Sequence, residues 1–177
     1  LAHQATVDHL TGTLTRSAFT RRANALLDSR QQHAQLLPMT LMMLDIDHFK
    51  SINDAHGHAV GDLVLRQFAD TLRDQLHSDE LLARMGGEEF VVILPGLAPD
   101  RAQFTAERLR RAVQDLNVQQ ADKPVQITVS IGIAGCDAGL PTPALDALLA
   151  SADKALYRAK AQGRNRVEQA EPMRRVI

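Results

Sequence analysis

The chain has 177 residues and is 45% hydrophobic, enough for one ordinary domain with a sizeable core. Its 20 Lys and Arg nearly cancel 21 Asp and Glu, aromatic residues make up 3% and Trp is absent, so polymeric DNA or RNA is not an expected partner. The single cysteine, Cys136, excludes an internal disulfide and a thiolate metal cage and suits a reducing cytosol; no apolar run is long enough to span a bilayer, there is no signal peptide, and the chain begins with Leu, as an excised piece of a longer protein would.

No internal repeat or low-complexity segment interrupts the chain. PMTLMMLDID, Pro38 to Asp47, is a short apolar run ending in acids and reads as a buried strand, with Asp47 placed to cap a helix opening at HFKSIND. After an HGHAVG loop, Asp62 leads into a helix whose Leu65, Phe68, Ala69, Leu72 and Leu76 recur at helical spacing. LLARM and EEFVVIL are strand-like runs, and Gly86-Gly87 between them predicts a tight two-residue hairpin loop. A helix from about Pro99 follows, with Ala102, Ala106, Leu109, Val113 and Leu116 in one stripe. Val125 to Ile133 alternates as a two-faced strand, and the last helix carries Leu145, Leu148, Leu149, Ala152, Leu156 and Ala159 before a cap near Gly163. A short final strand is expected around Arg166 and Val167. The order strand, helix, helix, hairpin, helix, strand, helix, strand predicts an α/β domain with a central, mostly antiparallel sheet flanked by helices.

Asp45 and Asp47 are two residues apart on the first strand, so both project from one face at its end, opposite Leu44 and Ile46. Carboxylates ending an apolar strand are costly unless a cation neutralises them, and such oxygen ligands suit Mg²⁺, commonly held by one or two carboxylates plus substrate phosphates. If the hairpin lies beside that strand, one of Glu88 and Glu89 completes the cluster, and alternation gives the two neighbours different tasks. Lys160 and Arg164, four apart at the end of the last helix, are expected to share a face and present two cations to phosphates. The helix opening at His48, Phe49 and Lys50 offers free backbone N–H groups to an anion. Together these features describe a nucleoside triphosphate site. Taken singly, each has a plainer reading as a cap, a solvated turn or a charge favoured by the helix dipole.

DHLTG (Asp8 to Gly12), LDIDHFKSINDAHGHAVGD (Leu44 to Asp62), RMGGEEF (Arg84 to Phe90), TVSIGIA and ADKALYRAKAQGRNRV (Ala152 to Val167) resemble, in that order, the motifs of the GGDEF-domain diguanylate cyclases, with the signature in its GGEEF form. The resemblance covers nearly the whole chain. It implies the GGDEF-type fold, akin to nucleotidyl cyclase and polymerase palm domains, and condensation of two GTP into cyclic di-GMP with release of pyrophosphate across a homodimer. It implies a catalytic domain over residues 8–170, preceded at 1–7 by the end of an upstream linker or signalling helix and followed at 171–177 by a tail.

By position, the resemblance makes Asp45, Glu89 and the backbone carbonyl of Ile46 the ligands of Mg²⁺, with Mn²⁺ as a substitute, and Glu88 the candidate base for the ribose 3′-hydroxyl. Lys160 and Arg164 become phosphate contacts together with Lys50 and the backbone near His48 and Phe49, while Asn53 and Asp62 become guanine readers. A carboxylate accepts well from guanine's Watson–Crick edge and meets an acceptor nitrogen on adenine, so Asp62 favours GTP over ATP. The family's product-binding Arg-x-x-Asp is replaced by His77-Ser78-Asp79-Glu80, which removes the bidentate Arg and implies weak or absent feedback inhibition. Thr15 stands where Asn is common. An upstream sensory domain, no nucleic-acid polymer, no membrane contact by this domain and a cytoplasmic location, with any anchor upstream, complete the expectation. The competing function class is a noncatalytic GTP-binding or interaction module.

Overall fold

The computed structural model describes residues 5–119 and 123–172, whose elements run α1 (Arg16–Gln32), β1 (Met39–Ile46), α2 (Phe49–His56), α3 (His58–Gln75), β2 (Leu81–Gly86), β3 (Glu89–Pro95), α4 (Pro99–Gln114), β4 (Asn117–Val118), β5 (Val125–Gln126), β6 (Val129–Cys136), α5 (Leu145–Ala161) and β7 (Val167–Gln169). Parts of the expected upstream segment (1–4) and tail (173–177) lie outside the described residues.

Every residue of β1 is buried, as befits a strand covered on both faces. It is the middle strand of a five-stranded sheet ordered β2-β3-β1-β6-β7, antiparallel throughout except for the parallel β6–β7 pair. Its even-numbered residues Met42, Leu44 and Ile46 join a core under α3 and α4, where Phe68 and Phe90 meet with ring centroids 5.0 Å apart. Its odd-numbered residues Met39, Leu41 and Met43 join a second core under α1 and α5. Each fully buried side chain of this size contributes roughly 1.5–3 kcal/mol. The mostly antiparallel sheet between two helical layers is the architecture the sequence predicts.

α5 lies directly on β6. A Cβ added at Gly132 would fall 2.2 Å from the Ala152 carbonyl oxygen and 2.3 Å from the Leu156 nitrogen, so only glycine admits this backbone-to-backbone approach. At the far edge, Leu14 pairs with β2: its N–H donates to the Leu82 carbonyl and its own carbonyl accepts from the Arg84 N–H, both at 3.0 Å.

Several local expectations are corrected. The stretch Val125–Ile133, expected as one strand, is divided between β5, which pairs with β4 in a separate two-stranded sheet, and β6, which starts at Val129. α1 was absent from the predicted order; its buried stripe, Phe19, Ala23, Leu27 and Arg30, contains a small residue and a cation whose guanidinium is satisfied by Leu37, Thr142 and Asp137. Thr15 caps this helix through its hydroxyl, which accepts the Ala18 N–H, the task an Asn would perform there. The HGHAVG segment is no loop: α2 and α3 are separated by Gly57 alone, at φ +89°, so α3 starts at His58 and Asp62 lies inside it rather than capping it. The hairpin turns at Gly87-Glu88 rather than Gly86-Gly87, because Met85 is an extra residue between the pairs Arg84–Phe90 and Gly86–Glu89. Gly87, at φ +52°, supplies the left-handed turn position. Among the described residues no helix is long and apolar enough to cross a membrane.

Candidate active site

The site forms where the C-terminal end of β1 meets the hairpin, the start of α2 and the end of α5. Because β3 pairs antiparallel with β1, Glu89 is the direct partner of Asp45, and directly opposed residues share a face of the sheet. The Ile46 N–H donates to the Glu88 carbonyl at 3.4 Å, binding the turn to the strand end. Asp45 is 5% exposed, and its Oδ2 accepts from Lys160 Nζ at 2.7 Å. Burial raises its pKa to about 6 from the ordinary 3.8; Lys160 opposes the rise, and the charges of Glu88 and Glu89 add to it. Lys160 therefore compensates this acidic corner only in part.

The signature turn is held from outside. Arg84 Nε donates to the Gly87 carbonyl at 2.9 Å, and its Nη1 lies 3.3 Å from Asp8 Oδ2. Asp8 also accepts from the backbone and hydroxyl of Thr11, at 3.0 and 2.7 Å. Burial works against the Asp8 carboxylate, yet the Thr11 hydrogen bonds and Arg84 outweigh it and keep its pKa below the ordinary value.

His48 adopts a left-handed conformation, φ +56°, and opens α2 without a side-chain cap. Asp47 does not cap that helix as expected; its carboxylate turns to Thr128, Ser130 and the Asn165 N–H. Phe49 is half-buried against the core, whereas His48 and Lys50 are exposed beside the acids. Asn53 lies under Gly61, where a Cβ would come within 1.8 Å of its Oδ1, and that oxygen is buried with no hydrogen-bond partner among the described residues. Asp62, next to Gly61 in α3, is exposed.

Lys160 and Arg164 do not share a helical face. α5 ends at Ala161, and Arg164 sits beyond it in a turn at φ +64°, with its side chain exposed. His77 and Glu80 stand apart from the acids, at the approach to β2, where the His77 N–H donates to Glu80 Oε1 at 2.7 Å. Sequence reasoning did not single out Thr128, Ser130, Asn165 or Arg110 as supports of the site, because their partners are far away in the chain. Among the described residues no three His, Cys, Asp or Glu side chains converge on one point as a metal cage. The donors that do gather, Asp45 and Glu89, are hard oxygens of the kind Mg²⁺ takes alongside phosphates. A cavity of about 370 Å³ lined by Pro99, Ala134, Leu148 and Ala170 lies toward the other end of β6, away from this cluster.

Comparison with known proteins gives the family. The family model for "Diguanylate cyclase, GGDEF domain" matches residues 5–166. The chain is 41% identical over 167 residues to the response regulator PleD of Caulobacter vibrioides, covering 92% of this chain and 36% of PleD. It is 40% identical over 168 residues to diguanylate cyclase DgcP of Pseudomonas aeruginosa, covering 93% of this chain and 24% of DgcP. The chain thus spans about a quarter to a third of the length of these curated relatives. Among solved structures, the GGDEF domain of DgcB from Caulobacter crescentus, in complex with c-di-GMP, superposes with a TM-score of 0.86 at 33% identity, covering 96% of this chain and 98% of that one. With the signature Gly86 to Phe90 forming the hairpin beside Asp45, and the family model spanning nearly all of the chain, this protein belongs to the GGDEF family.

Proposed function

We propose that the domain is a diguanylate cyclase, which condenses two GTP into cyclic di-GMP and two pyrophosphates across a homodimer. The observation that carries this reading is the meeting of Asp45 and Glu89 on adjacent strands with Lys160 2.7 Å from Asp45. A buried carboxylate whose pKa stays near 6 beside a lysine still favours more positive charge, and two carboxylates with a nearby cation suit a metal-bound triphosphate.

Asp45 and Glu89, with the Ile46 carbonyl, would hold Mg²⁺, for which Mn²⁺ can substitute. When bound, that ion supplies neutralisation of the charge that gathers on the phosphorus oxygens. The chain's own groups do the rest. Lys160, Arg164 and Lys50, with the first N–H groups of α2, hold the phosphates so that the α-phosphorus faces an incoming ribose 3′-oxygen. Glu88, in the hairpin turn, accepts the 3′-hydroxyl proton as the new P–O bond forms and the bond to pyrophosphate breaks. Asn53 and Asp62, on facing helices, read guanine; the unpartnered Asn53 amide oxygen supports a polar task there.

Each domain holds one GTP, so a second copy must bring the attacking hydroxyl. We assign the domain to the cytoplasm, where GTP is available, and its control to an upstream sensory region, since the relatives are about three to four times longer than the stretch this chain matches. The test is incubation with GTP and Mg²⁺ over a range of protein concentrations beside Glu89→Ala, with products separated by chromatography. Cyclic di-GMP whose yield per protein rises with concentration and vanishes in the variant is the expected result. GTP binding without product at high concentration would instead mark a noncatalytic module.

A further inference from the structure

The Asp47 carboxylate is 4% exposed and accepts three hydrogen bonds. Ser130 Oγ donates to Oδ1 at 2.6 Å; Thr128 Oγ1 and the Asn165 backbone N–H donate to Oδ2 at 2.7 and 3.0 Å. Two of these donors belong to the neighbouring strand segment. The third comes from the turn after α5, a stretch of chain with two consecutive non-glycine residues in the left-handed region, Arg164 at φ +64° and Asn165 at φ +47°. Such a conformation is disfavoured for residues with a Cβ, less so for Asn than for Arg, and a run of two persists where its surroundings impose it.

The surroundings are identifiable. The Arg164 N–H closes onto the Ala159 carbonyl at 2.9 Å, which joins the turn to its own helix. Arg110 Nη1 donates to Asn165 Oδ1 at 2.9 Å, which joins it to α4. Asp47 alone among these groups joins it to the end of β1, one residue past Ile46 and two past Asp45. The Arg164 side chain is exposed, so the place where its guanidinium is offered depends on how the backbone of this turn is held.

We propose that Asp47 is a positioning residue: its carboxylate locks the left-handed Arg164–Asn165 turn against the end of β1 and so aims Arg164 at the triphosphate, without itself touching substrate or metal. The role rests on the reading of Arg164 as a phosphate ligand. Two acids at one strand end then divide the work, Asp45 meeting Lys160 directly and Asp47 acting on Arg164 through the Asn165 backbone. Asn in place of Asp47 could keep all three contacts, its amide nitrogen donating to the Ser130 hydroxyl and its oxygen accepting from Thr128 and the Asn165 N–H, whereas Ala removes every acceptor from the turn.

The test is a double-mutant cycle read by the dissociation constant for Mg²⁺–GTP, with backbone amide exchange measured alongside. Arg164→Ala and Asp47→Ala are each expected to weaken binding by about tenfold, the loss of one charge-assisted contact, and the double variant to be no weaker than Arg164→Ala within about twofold. The Asn165 amide is expected to exchange on the order of a hundredfold faster in Asp47→Ala while the β1 amides keep their protection. Additive losses, unchanged binding in Asp47→Ala, or unchanged Asn165 exchange would each overturn the proposal. If Arg164→Ala alone binds as tightly as the natural chain, the phosphate reading of Arg164 is what fails, and Asn165 exchange still decides whether Asp47 holds the turn. Should Asp47→Ala not fold, Asn165→Ala and Asn165→Gly replace it: both lose the Arg110 contact, but only alanine resists the left-handed backbone. Weaker binding for alanine with near-normal binding for glycine is expected, and equal affinities would overturn the proposal.

Discussion

The Lys160 ammonium lies 2.7 Å from the Asp45 carboxylate and ties the last turn of α5 to the end of β1. The pair leaves Asp45 poorly compensated, with its pKa raised to about 6 by burial first and by Glu88 and Glu89 after it. The folded protein therefore holds this proton more tightly than the unfolded chain. Stability from the protonated group is fully present below about pH 4 and is lost as pH rises toward 6, a change on the order of 3 kcal/mol at most. In chelator, Asp45→Asn is expected to gain thermal stability relative to the natural chain as pH goes from 4 to 7.5, and added Mg²⁺ is expected to raise the melting temperature at pH 7.5 only where Asp45 is present. Parallel pH dependences for the two proteins would refute this account.

Asp8 has the opposite linkage. Its carboxylate is held below the ordinary range by Thr11 and Arg84 against the effect of burial, so its contribution is present above about pH 4 and is lost as pH falls through its folded-state value. Asp8→Asn is expected to cost about 1–2 kcal/mol at pH 7 and nothing at the acid end of a denaturation series. Arg84→Ala is expected to lower turnover more than GTP affinity, because it frees the Gly87 carbonyl in the turn that carries Glu88. Steady-state kinetics separate the two effects.

Two glycines are expected to respond in opposite ways to alanine. At Gly132 the new methyl meets backbone atoms of α5 at 2.2 and 2.3 Å, which cannot step aside, so Gly132→Ala should lose at least about 2 kcal/mol in denaturant melts. At Gly61 the obstacle is the Asn53 amide, the end of a side chain that can rotate. Gly61 is interior to α3, where alanine gains up to about 1 kcal/mol of helix propensity. Gly61→Ala is therefore expected to keep or raise the melting temperature while weakening GTP binding by about tenfold, as displacement of a guanine reader would. A calorimetric titration that finds unchanged affinity would remove Asn53 from the guanine site.

Feedback by product should be weak. The Arg that would grip a product phosphate is His77, and Glu80 is engaged with the His77 backbone N–H at 2.7 Å. Cyclic di-GMP added at concentrations well above that of the protein is expected to inhibit the proposed cyclase activity of the natural chain little, and that of the double variant His77→Arg with Glu80→Asp more strongly. Potent noncompetitive inhibition of the natural chain would contradict this.

The parts that were legible in the sequence are those governed by local periodicity. The run Met39–Ile46 announces a central strand, and alternation together with the adjacent hairpin suffices to put an acid of the signature opposite Asp45. The unreadable parts depend on distant partners or on single backbone positions. α1 hides because its stripe includes Ala23 and a buried Arg30, two of whose three acceptors lie in loops far along the chain. Asp47 resembles a helix cap until Thr128, Ser130 and Asn165 arrive from elsewhere in the fold. Arg164 fits a helical repeat with Lys160 until the helix ends at Ala161 and the chain turns left-handed.

The pairing of Leu14 with β2 bears on how the domain keeps to itself. β2 is an edge strand, and an uncovered edge is a template on which a second chain can add its own strand and begin an aggregate. Leu14 occupies hydrogen-bonding groups of Leu82 and Arg84 on that edge, and the Asp8–Arg84 contact pins the segment that brings it there. Trimming the chain past Leu14 would thus expose a sticky strand as well as slacken the signature hairpin, and solubility would suffer together with the proposed activity.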